Sequence, residues 1–274
     1  MRVTVIQMNS RDDKAANLAA AEELVRAAVR EDRPDLVVLP EVWPLMGGDA
    51  AAKRAAAEIL GEDGSAWRLL RDLARGHRIF VHGGSLLERD PTAERLYNTT
   101  VAFDREGREL ARYRKIHLFD ITAPDGREYR ESATFGRGRE LVTYTAEEVR
   151  VGCSICYDLR FGELYRALAA LGAQLLAVPA AFTLQTGKDH WEVLLRARAI
   201  ETQCWVAAAA QWGPHPAGRE ERWCYGHSMI VDPWGHVVAR ASDGPGFATA
   251  RIDLARLAKV RRDLPVAEHR VLTG

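Results

Sequence analysis

Three residues with reactive side chains each follow a short apolar run. Glu41 follows residues 36–40, Lys115 follows residues 111–114 in the second arm of a predicted hairpin, and Cys156 follows residues 151–155. In open α/β sheets, ligands bind at the carboxyl ends of the strands, so residues in these positions are candidates for a shared site. The chemistry they suggest is nucleophilic catalysis by a thiol.

The position of Cys156 favours a reactive thiol. A helix is predicted to begin soon after it, and the positive end of a helix dipole favours a thiolate. A neighbouring lysine would favour it further. Each residue also has a simpler interpretation: Cys156 as a small buried apolar residue, Glu41 as a solvated loop acid, and Lys115 as part of a basic face.

The elements that must position these side chains alternate along the chain. Apolar runs predict strands at residues 3–6, 36–39, 79–81 and 149–155. Helical spacing of apolar residues predicts one helix that contains Leu18, Ala21, Val25 and Ala28 and stops at Pro34, and another that contains Phe161, Leu164, Tyr165 and Leu168. Alternation of strands and helices predicts an α/β fold.

One spacing occurs twice. Residues 104–112 and 232–240 share the pattern D-x-x-G-x-x-x-A-R, and each follows an apolar run. Both are predicted to be β-hairpins with a turn near the glycine, which makes the sheet mixed. They are either two ordinary hairpins or a pseudo-symmetric pair.

Residues 213–221 are predicted to form a surface loop. Because no linker divides the chain, we expect residues 1–274 to form a single domain.

Composition narrows the classes of function. The 274 residues include 38 Lys and Arg and 38 Asp and Glu, so no net charge favours nucleic acid or an anionic membrane surface. No run approaches the length of a membrane span, and the N-terminus lacks the apolar core of a secretory signal. Four cysteines are too few for a disulfide scaffold, so reduced thiols and a cytoplasmic location are expected.

Three other functions fit some of these residues. Cys153 and Cys156 have the spacing of a redox pair or half a zinc site, but alternation along a strand would direct them to opposite sides. Cys204 and Cys224 are too far apart in sequence to complete a zinc site. A papain-like arrangement would use His190 or His227 as base and would leave Glu41 and Lys115 without a role. A non-catalytic binding module would need none of the three residues Glu41, Lys115 and Cys156.

Three segments in order resemble the signatures of the nitrilase, or carbon-nitrogen hydrolase, superfamily. They are residues 39–41 (LPE), residues 113–118 (YRKIHL) and residues 155–161 (ICYDLRF). The similarity extends from the first strand to about Pro265. It implies a four-layer αββα sandwich with mixed sheets, a homodimer or larger homo-oligomer, and catalysis with neither a metal nor an organic cofactor.

The resemblance also implies a catalytic site. Cys156 would attack an amide carbon while Glu41 takes its proton and passes one to the departing amine. Lys115, with the backbone N–H of Tyr157, would stabilise the oxyanion. A thioester would form and then be hydrolysed. Glu131 matches a second glutamate that holds the lysine.

Further segments indicate the substrate. Residues 190–204, 225–229 and 231–235 resemble a metabolite-repair branch of the superfamily, which implies cleavage of deaminated glutathione to 2-oxoglutarate and Cys-Gly. The alternative is an omega-amidase acting on 2-oxoglutaramate or 2-oxosuccinamate. Arg160 is expected to bind the acyl carboxylate, and Tyr157, Phe182 and Thr183 to line the pocket. Lys188-Asp189 replaces a Pro-Ala pair of the family, which affects the leaving-group side.

Overall fold

The computed structural model describes residues 1–61, 64–123, 126–217 and 220–272. The strands of the first half are β1 (Arg2–Gln7), β2 (Leu36–Val38), β3 (Phe80–His82), β4 (Leu86–Glu88), β5 (Tyr97–Phe103), β6 (Glu109–Arg114), β7 (Asp120–Thr122) and β8 (Glu128–Arg130). Those of the second half are β9 (Thr143–Ala146), β10 (Val149–Cys153), β11 (Leu175–Ala177), β12 (Trp205–Ala208), β13 (Trp212–Ala217), β14 (Glu220–Tyr225), β15 (Met229–Val231), β16 (Val237–Arg240) and β17 (Gly246–Arg251).

The helices are α1 (Lys14–Asp32), α2 (Ala50–Ala56), α3 (Ser65–His77), α4 (Gly162–Ala170), α5 (Leu184–Thr202) and α6 (Leu254–Asp263). Two 3₁₀ helices cover Glu131–Ala133 and Cys156–Arg160. Helix α1 begins where the Asp13 carboxylate accepts the N–H of Ala16 (3.0 Å). It ends before Arg33 and Pro34, as the proline predicts.

Two mixed sheets form the centre of the protein. The first has the order β17-β1-β2-β3-β5-β4, with β6 on the other side of β5. The second has the order β16-β15-β12-β11-β10-β9. In each sheet the central strands are parallel: β1, β2 and β3 in the first, and β10, β11 and β12 in the second. Their carboxyl ends therefore point the same way and carry loops at a common edge.

Side-chain alternation sets the layers. In β2, Leu36 and Val38 pack between the two sheets. Val37 packs on the opposite face, in the core between the first sheet and helices α1 and α3. Helices α4 and α5 pack on β10 and β12, on the outer face of the second sheet. The order of layers is helix, sheet, sheet, helix, and the predicted αββα sandwich is confirmed.

Both predicted D-x-x-G hairpins are present, one in each sheet. The N–H of Gly107 donates to the carbonyl of Asp104, and the N–H of Gly235 donates to the carbonyl of Asp232, each at 2.9 Å. In both turns the aspartate carboxylate also accepts the N–H of the residue two positions on, Glu106 or Trp234. The two turns therefore close by the same hydrogen bonds.

The prediction of a surface loop at residues 213–221 is wrong. This segment belongs to the antiparallel ribbon of β13 and β14, although Gly218 and Arg219 lie outside the described residues. Pro214 and Pro216 are two residues apart, so both lie where the N–H would point away from the single partner strand. The ribbon therefore tolerates both prolines.

Candidate active site

A strained turn after β2 positions Glu41. The next residue, Val42, has φ +42°, a left-handed conformation that β-branched residues rarely adopt. Its N–H donates to the hydroxyl of Ser85 (2.9 Å), and the N–H of Ser85 donates to the Pro40 carbonyl (3.1 Å). Gly84 is required beside this turn, since a Cβ there would lie 2.0 Å from the Pro40 carbonyl oxygen. The loop between β3 and β4 therefore fixes the position of Glu41.

Lys115 is positioned by the first D-x-x-G hairpin. It follows β6, and its N–H donates to the carbonyl of Asn98 on β5 (2.9 Å). The pairing continues the β5–β6 register, in which Thr99 is opposite Arg114. Lys115 is 2% exposed, so its ammonium group requires partners in the protein.

The thiol of Cys156 lies at a tight turn between β10 and the 3₁₀ helix Cys156–Arg160. Cys156 has φ +48°, again a left-handed conformation, and its N–H donates to the Pro179 carbonyl (2.8 Å). Backbone strain of this kind persists only where the surroundings impose it, and it is concentrated at functional sites.

Asp158 connects the turn of Cys156 to the segment of Lys115. Its carboxylate accepts the N–H of Ile155 (2.9 Å), the hydroxyl of Tyr113 (2.6 Å) and the N–H of His117 (3.0 Å). The ring Nδ1 of His117 lies 2.7 Å from the same carboxylate. Because Tyr113 and His117 flank Lys115 in sequence, one buried carboxylate fixes the ammonium group relative to the thiol.

Two carboxylates surround the ammonium group. Nζ of Lys115 lies 2.9 Å from Oε1 of Glu41, and 3.1 and 2.9 Å from Oε1 and Oε2 of Glu131. Asn98 Nδ2 donates to the same two acids, at 2.9 Å to Glu41 and 3.2 Å to Glu131. The N–H of Phe119 donates to Glu131 at 2.6 Å. The structure thus brings together the acids, the lysine and the cysteine that the sequence singled out.

The protonation states follow from burial and charge. Burial lowers the pKa of Lys115, but the carboxylates of Glu131 and Glu41 outweigh this effect and raise its pKa well above 10.5. Burial and then the charge of Glu41 raise the pKa of Cys156 well above 9.0, against the opposing effect of Lys115. Burial and Glu41 thus oppose the thiolate that the sequence predicts, and the thiol shares its cavity with a carboxylate that can accept its proton.

A cavity of about 680 Å³ opens over these groups. Cys156, Lys115 and both glutamates lie on its wall, together with the four predicted substrate-binding residues, Tyr157, Arg160, Phe182 and Thr183. Its volume is in the range of small-molecule sites.

The four predicted substrate-binding residues make different contacts with the rest of the protein. The guanidinium of Arg160 lies over the ring of Phe182 (5.3 Å to the centroid) and bonds His190 (3.3 Å). Among the described residues no carboxylate forms an ion pair with it. The hydroxyl of Thr183 caps α5 by accepting the N–H of Thr186, and the ring of Tyr157 packs edge-on against Phe119. Arg160 is therefore the member of this set with an uncompensated charge.

The residues that the alternative functions require are not placed to carry them out. Cys153 is completely buried in β10, and burial raises its pKa to about 12, so it is a poor redox thiol. His190 is exposed and His227 bonds the carbonyl of Tyr225; neither lines the cavity that contains Cys156. Within the described ranges, no group of three or more His, Cys, Asp or Glu side chains could hold a metal ion.

Sequence reasoning did not identify Asn98. It lies in a predicted apolar strand segment, where a polar residue is easily assigned to the sheet itself. Counting back from the turn at 104–107 along both arms would bring Asn98 opposite Arg114, and only the bulge between Ala102 and Phe103 shifts the register so that Asn98 pairs with Lys115. Lys53 and Arg222, which also line the cavity, were missed because neither is near Glu41, Lys115 or Cys156 in the sequence.

The four-layer sandwich, with a thiol, an ammonium group and carboxylates in one cavity, defines a hydrolase class that uses a cysteine nucleophile on carbon–nitrogen bonds. The carbon-nitrogen hydrolase family profile matches residues 2–262. This chain belongs to the carbon-nitrogen hydrolase family and is a hydrolase acting on C–N bonds.

Three similar proteins indicate which members of the family this chain resembles. The deaminated glutathione amidase of Synechocystis sp. is 44% identical over 269 residues, 97% of this chain and 96% of that protein. The human deaminated glutathione amidase is 44% identical over 98% of this chain and 81% of its own length. The crystal structure of the C. elegans NitFhit protein superimposes with a TM-score of 0.88 at 39% identity, over 98% of this chain. This chain spans 65% of that larger protein.

Proposed function

We propose that this protein is an amidase that hydrolyses deaminated glutathione to 2-oxoglutarate and Cys-Gly. The single observation that carries the proposal is the convergence of Glu41, Lys115 and Cys156 on one cavity, with 2.9 Å between Lys115 Nζ and Glu41 Oε1. The names of relatives at 43–44% identity over nearly the whole chain support the choice of substrate.

In the acylation step, the sulfur of Cys156 attacks the amide carbon and its proton passes to Glu41. The negative charge that develops on the amide oxygen is stabilised by Lys115 and by the backbone N–H of Tyr157, at the start of the 3₁₀ helix. The C–N bond then breaks as Glu41 delivers the proton to the leaving nitrogen. The products of this step are a thioester at Cys156 and the amine of Cys-Gly.

In the deacylation step, a water molecule attacks the thioester. Glu41, ionised again, takes a proton from this water and returns one to the departing sulfur. Glu131 keeps Lys115 in place through both steps, through contacts at 2.9 and 3.1 Å. No metal or organic cofactor enters the proposed reaction.

The acyl group of this substrate ends in a 2-oxo carboxylate. Arg160 is the proposed partner of this carboxylate, because a guanidinium binds a carboxylate through two parallel hydrogen bonds. Phe182 and Tyr157 would pack against the acyl chain, and Thr183 lies beside them on the cavity wall.

An omega-amidase would use the same chemistry on 2-oxoglutaramate or 2-oxosuccinamate. The comparison that separates the two is kcat/KM for deaminated glutathione, 2-oxoglutaramate and glutathione itself. Our proposal requires the first to be the best substrate. Equal values for the first two would overturn the assignment of substrate and leave the class of reaction intact.

The covalent step has a direct test. Rapid acid quenching of the wild-type protein during turnover of deaminated glutathione should yield protein heavier by one 2-oxoglutaryl group, because acid stops the base-assisted hydrolysis of the thioester. The Cys156→Ser variant serves as the control and should gain no mass. An adduct on a residue other than Cys156 would contradict the mechanism.

We also propose that residues 1–274 act as one catalytic domain, supported by the family match over residues 2–262. A homodimer or larger homo-oligomer is supported by exposed apolar side chains on α5 and the second D-x-x-G hairpin, namely Val193, Ile200, Trp234 and Val238. Sedimentation would measure the assembly.

A cytoplasmic location is supported by four free cysteines. No helix in the described part of the chain is long and apolar enough to cross a membrane.

A further inference from the structure

Two cations, Lys53 and Arg222, line the catalytic cavity. Lys53 is half-buried on α2, and Arg222 is exposed on β14. Among the residues that the structure describes, no carboxylate forms an ion pair with either side chain. The guanidinium of Arg222 lies over the ring of Tyr129, 4.6 Å from its centroid. Lys53 is the partly buried member of the pair, and a buried cation that no salt bridge compensates is costly, so this part of the wall is suited to an anion.

The fold brings these two residues together through a close approach of two segments. Gly47, just before α2, has φ +98°, and a Cβ there would lie 2.6 Å from the carbonyl oxygen of Pro216. Only glycine permits this contact between the α2 segment and β13. Arg222 is opposite His215 on the same ribbon. The contact therefore places Lys53 and Arg222 on one region of the cavity wall.

Their charges act on each other. Burial lowers the pKa of Lys53, the positive charge of Arg222 lowers it further, and Glu131 and Asp49 raise it. The carboxylate of Asp49 is itself engaged, since it caps α2 by accepting the N–H of Ala52 (2.8 Å). Two like charges in reach of each other are stabilised by an anion bound between them.

We propose that Lys53 and Arg222 form a second anion subsite, which binds a carboxylate on the leaving-group side of the scissile amide. The inference rests on the proposed function, in which Arg160 binds the carboxylate of the acyl group. Arg160 contacts Phe182 and His190, whereas Arg222 contacts Tyr129. The remaining carboxylate of deaminated glutathione is that of the terminal glycine, and a primary amide such as 2-oxoglutaramate has none in this position. The subsite thus selects amides of peptides over simple amides.

The kinetic test uses deaminated glutathione and its analogue with a terminal carboxamide in place of the glycine carboxylate. The wild-type protein should prefer the carboxylate in kcat/KM by about tenfold to a hundredfold, the usual effect of hydrogen bonds to a charged group. Lys53→Met and Arg222→Met should each reduce this preference by lowering kcat/KM for the carboxylate alone. Arg54→Met removes the same charge from the exposed neighbour of Lys53 and should retain the preference. A wild-type protein without a preference, or variants that lose both activities equally, would overturn the subsite.

A binding experiment separates this inference from the proposed function. If the wild-type protein hydrolyses neither compound, the proposed function fails, and calorimetry with Cys-Gly and Cys-Gly amide on the Cys156→Ser variant decides the subsite. Tighter binding of Cys-Gly, lost when Lys53→Met is added, would support a site for peptide carboxylates. Equal binding of the two, or binding of neither, would reject it.

Discussion

Asn98 and Lys115 lie side by side on the two arms of one hairpin and donate to the same two carboxylates. Nδ2 of Asn98 reaches Glu41 at 2.9 Å and Glu131 at 3.2 Å, and Nζ of Lys115 reaches Glu41 at 2.9 Å and Glu131 at 2.9 Å. Oε1 of Glu41 therefore has two donors. Its second oxygen, Oε2, is left to exchange protons with sulfur, the leaving nitrogen and water.

This arrangement makes Asn98 a positioning residue. Replacing Asn98 by Ala should lower kcat by about tenfold to a hundredfold with little change in KM, because a hydrogen bond to a charged group contributes about 1.5–3 kcal/mol. Steady-state kinetics with deaminated glutathione measures both constants. A loss confined to KM would contradict the assignment.

Replacing Asn98 by Asp retains the size of the side chain and adds a third carboxyl group. The variant should lose more activity than the Ala variant, since it removes the donor to Glu41 and Glu131 and places a third acidic group beside them. Equal losses in the Ala and Asp variants would contradict this prediction.

The thiol of Cys156 should remain protonated through neutral pH. Its pKa lies well above 9.0, so the ultraviolet absorbance of thiolate, taken as wild type minus Cys156→Ser, should show no step between pH about 6 and about 9. The other cysteines cancel in this difference. A step near neutrality would show that an ion pair with Lys115, and not proton transfer to Glu41, activates the sulfur.

Cys153 should be dispensable for the reaction. The Cys153→Ser variant should retain kcat within about twofold, although a hydroxyl in an apolar layer should reduce the free energy of unfolding by about 1–3 kcal/mol. Activity assays and urea denaturation give the two values. A folded variant without activity would revive the paired-thiol interpretation.

His82 should make stability depend on acid. It is completely buried, and burial lowers its pKa from 6.5 to about 3. In the unfolded chain the ring binds a proton below pH 6.5, whereas in the folded chain it stays neutral down to about pH 3. Its contribution is therefore complete above pH 6.5 and falls as the pH decreases toward 3.

Between pH 7 and pH 5, His82 should account for a loss of about 2 kcal/mol in the free energy of unfolding. The measurement is urea denaturation of wild type and His82→Leu at both pH values. The variant also loses the contact of His82 with the hydroxyl of Tyr144 (3.2 Å), but this loss is the same at both pH values. An equal pH dependence in both proteins would contradict the prediction.

The sequence predicted several strands and helices because these depend on local patterns, whereas the order of the four layers was implied by the resemblance to the superfamily. The unbroken apolar run at residues 36–39 is typical of a strand buried on both faces, and the D-x-x-G turns are closed by hydrogen bonds within a few residues. The β13–β14 ribbon was missed because two prolines suggest a loop, and only the register shows that both lie on the unpaired side.

The parts of the site that were missed depend on contacts distant in sequence. The pKa of Cys156 is set by burial and by Glu41, which is far away in the chain. Lys53 and Arg222 meet only because Gly47 packs against Pro216. Asn98 was missed because a bulge between Ala102 and Phe103, which the spacing does not reveal, brings it opposite Lys115.

The cluster of one ammonium group and two carboxylates has a consequence for the energetics of the reaction. As Glu41 becomes neutral by taking the proton, an equal charge appears on the amide oxygen, so the sum over the pocket stays constant. The negative charge only changes its place beside Lys115. The free-energy cost of burying one negative charge beside Lys115 is therefore already part of the folding free energy. Formation of the oxyanion adds no further buried charge.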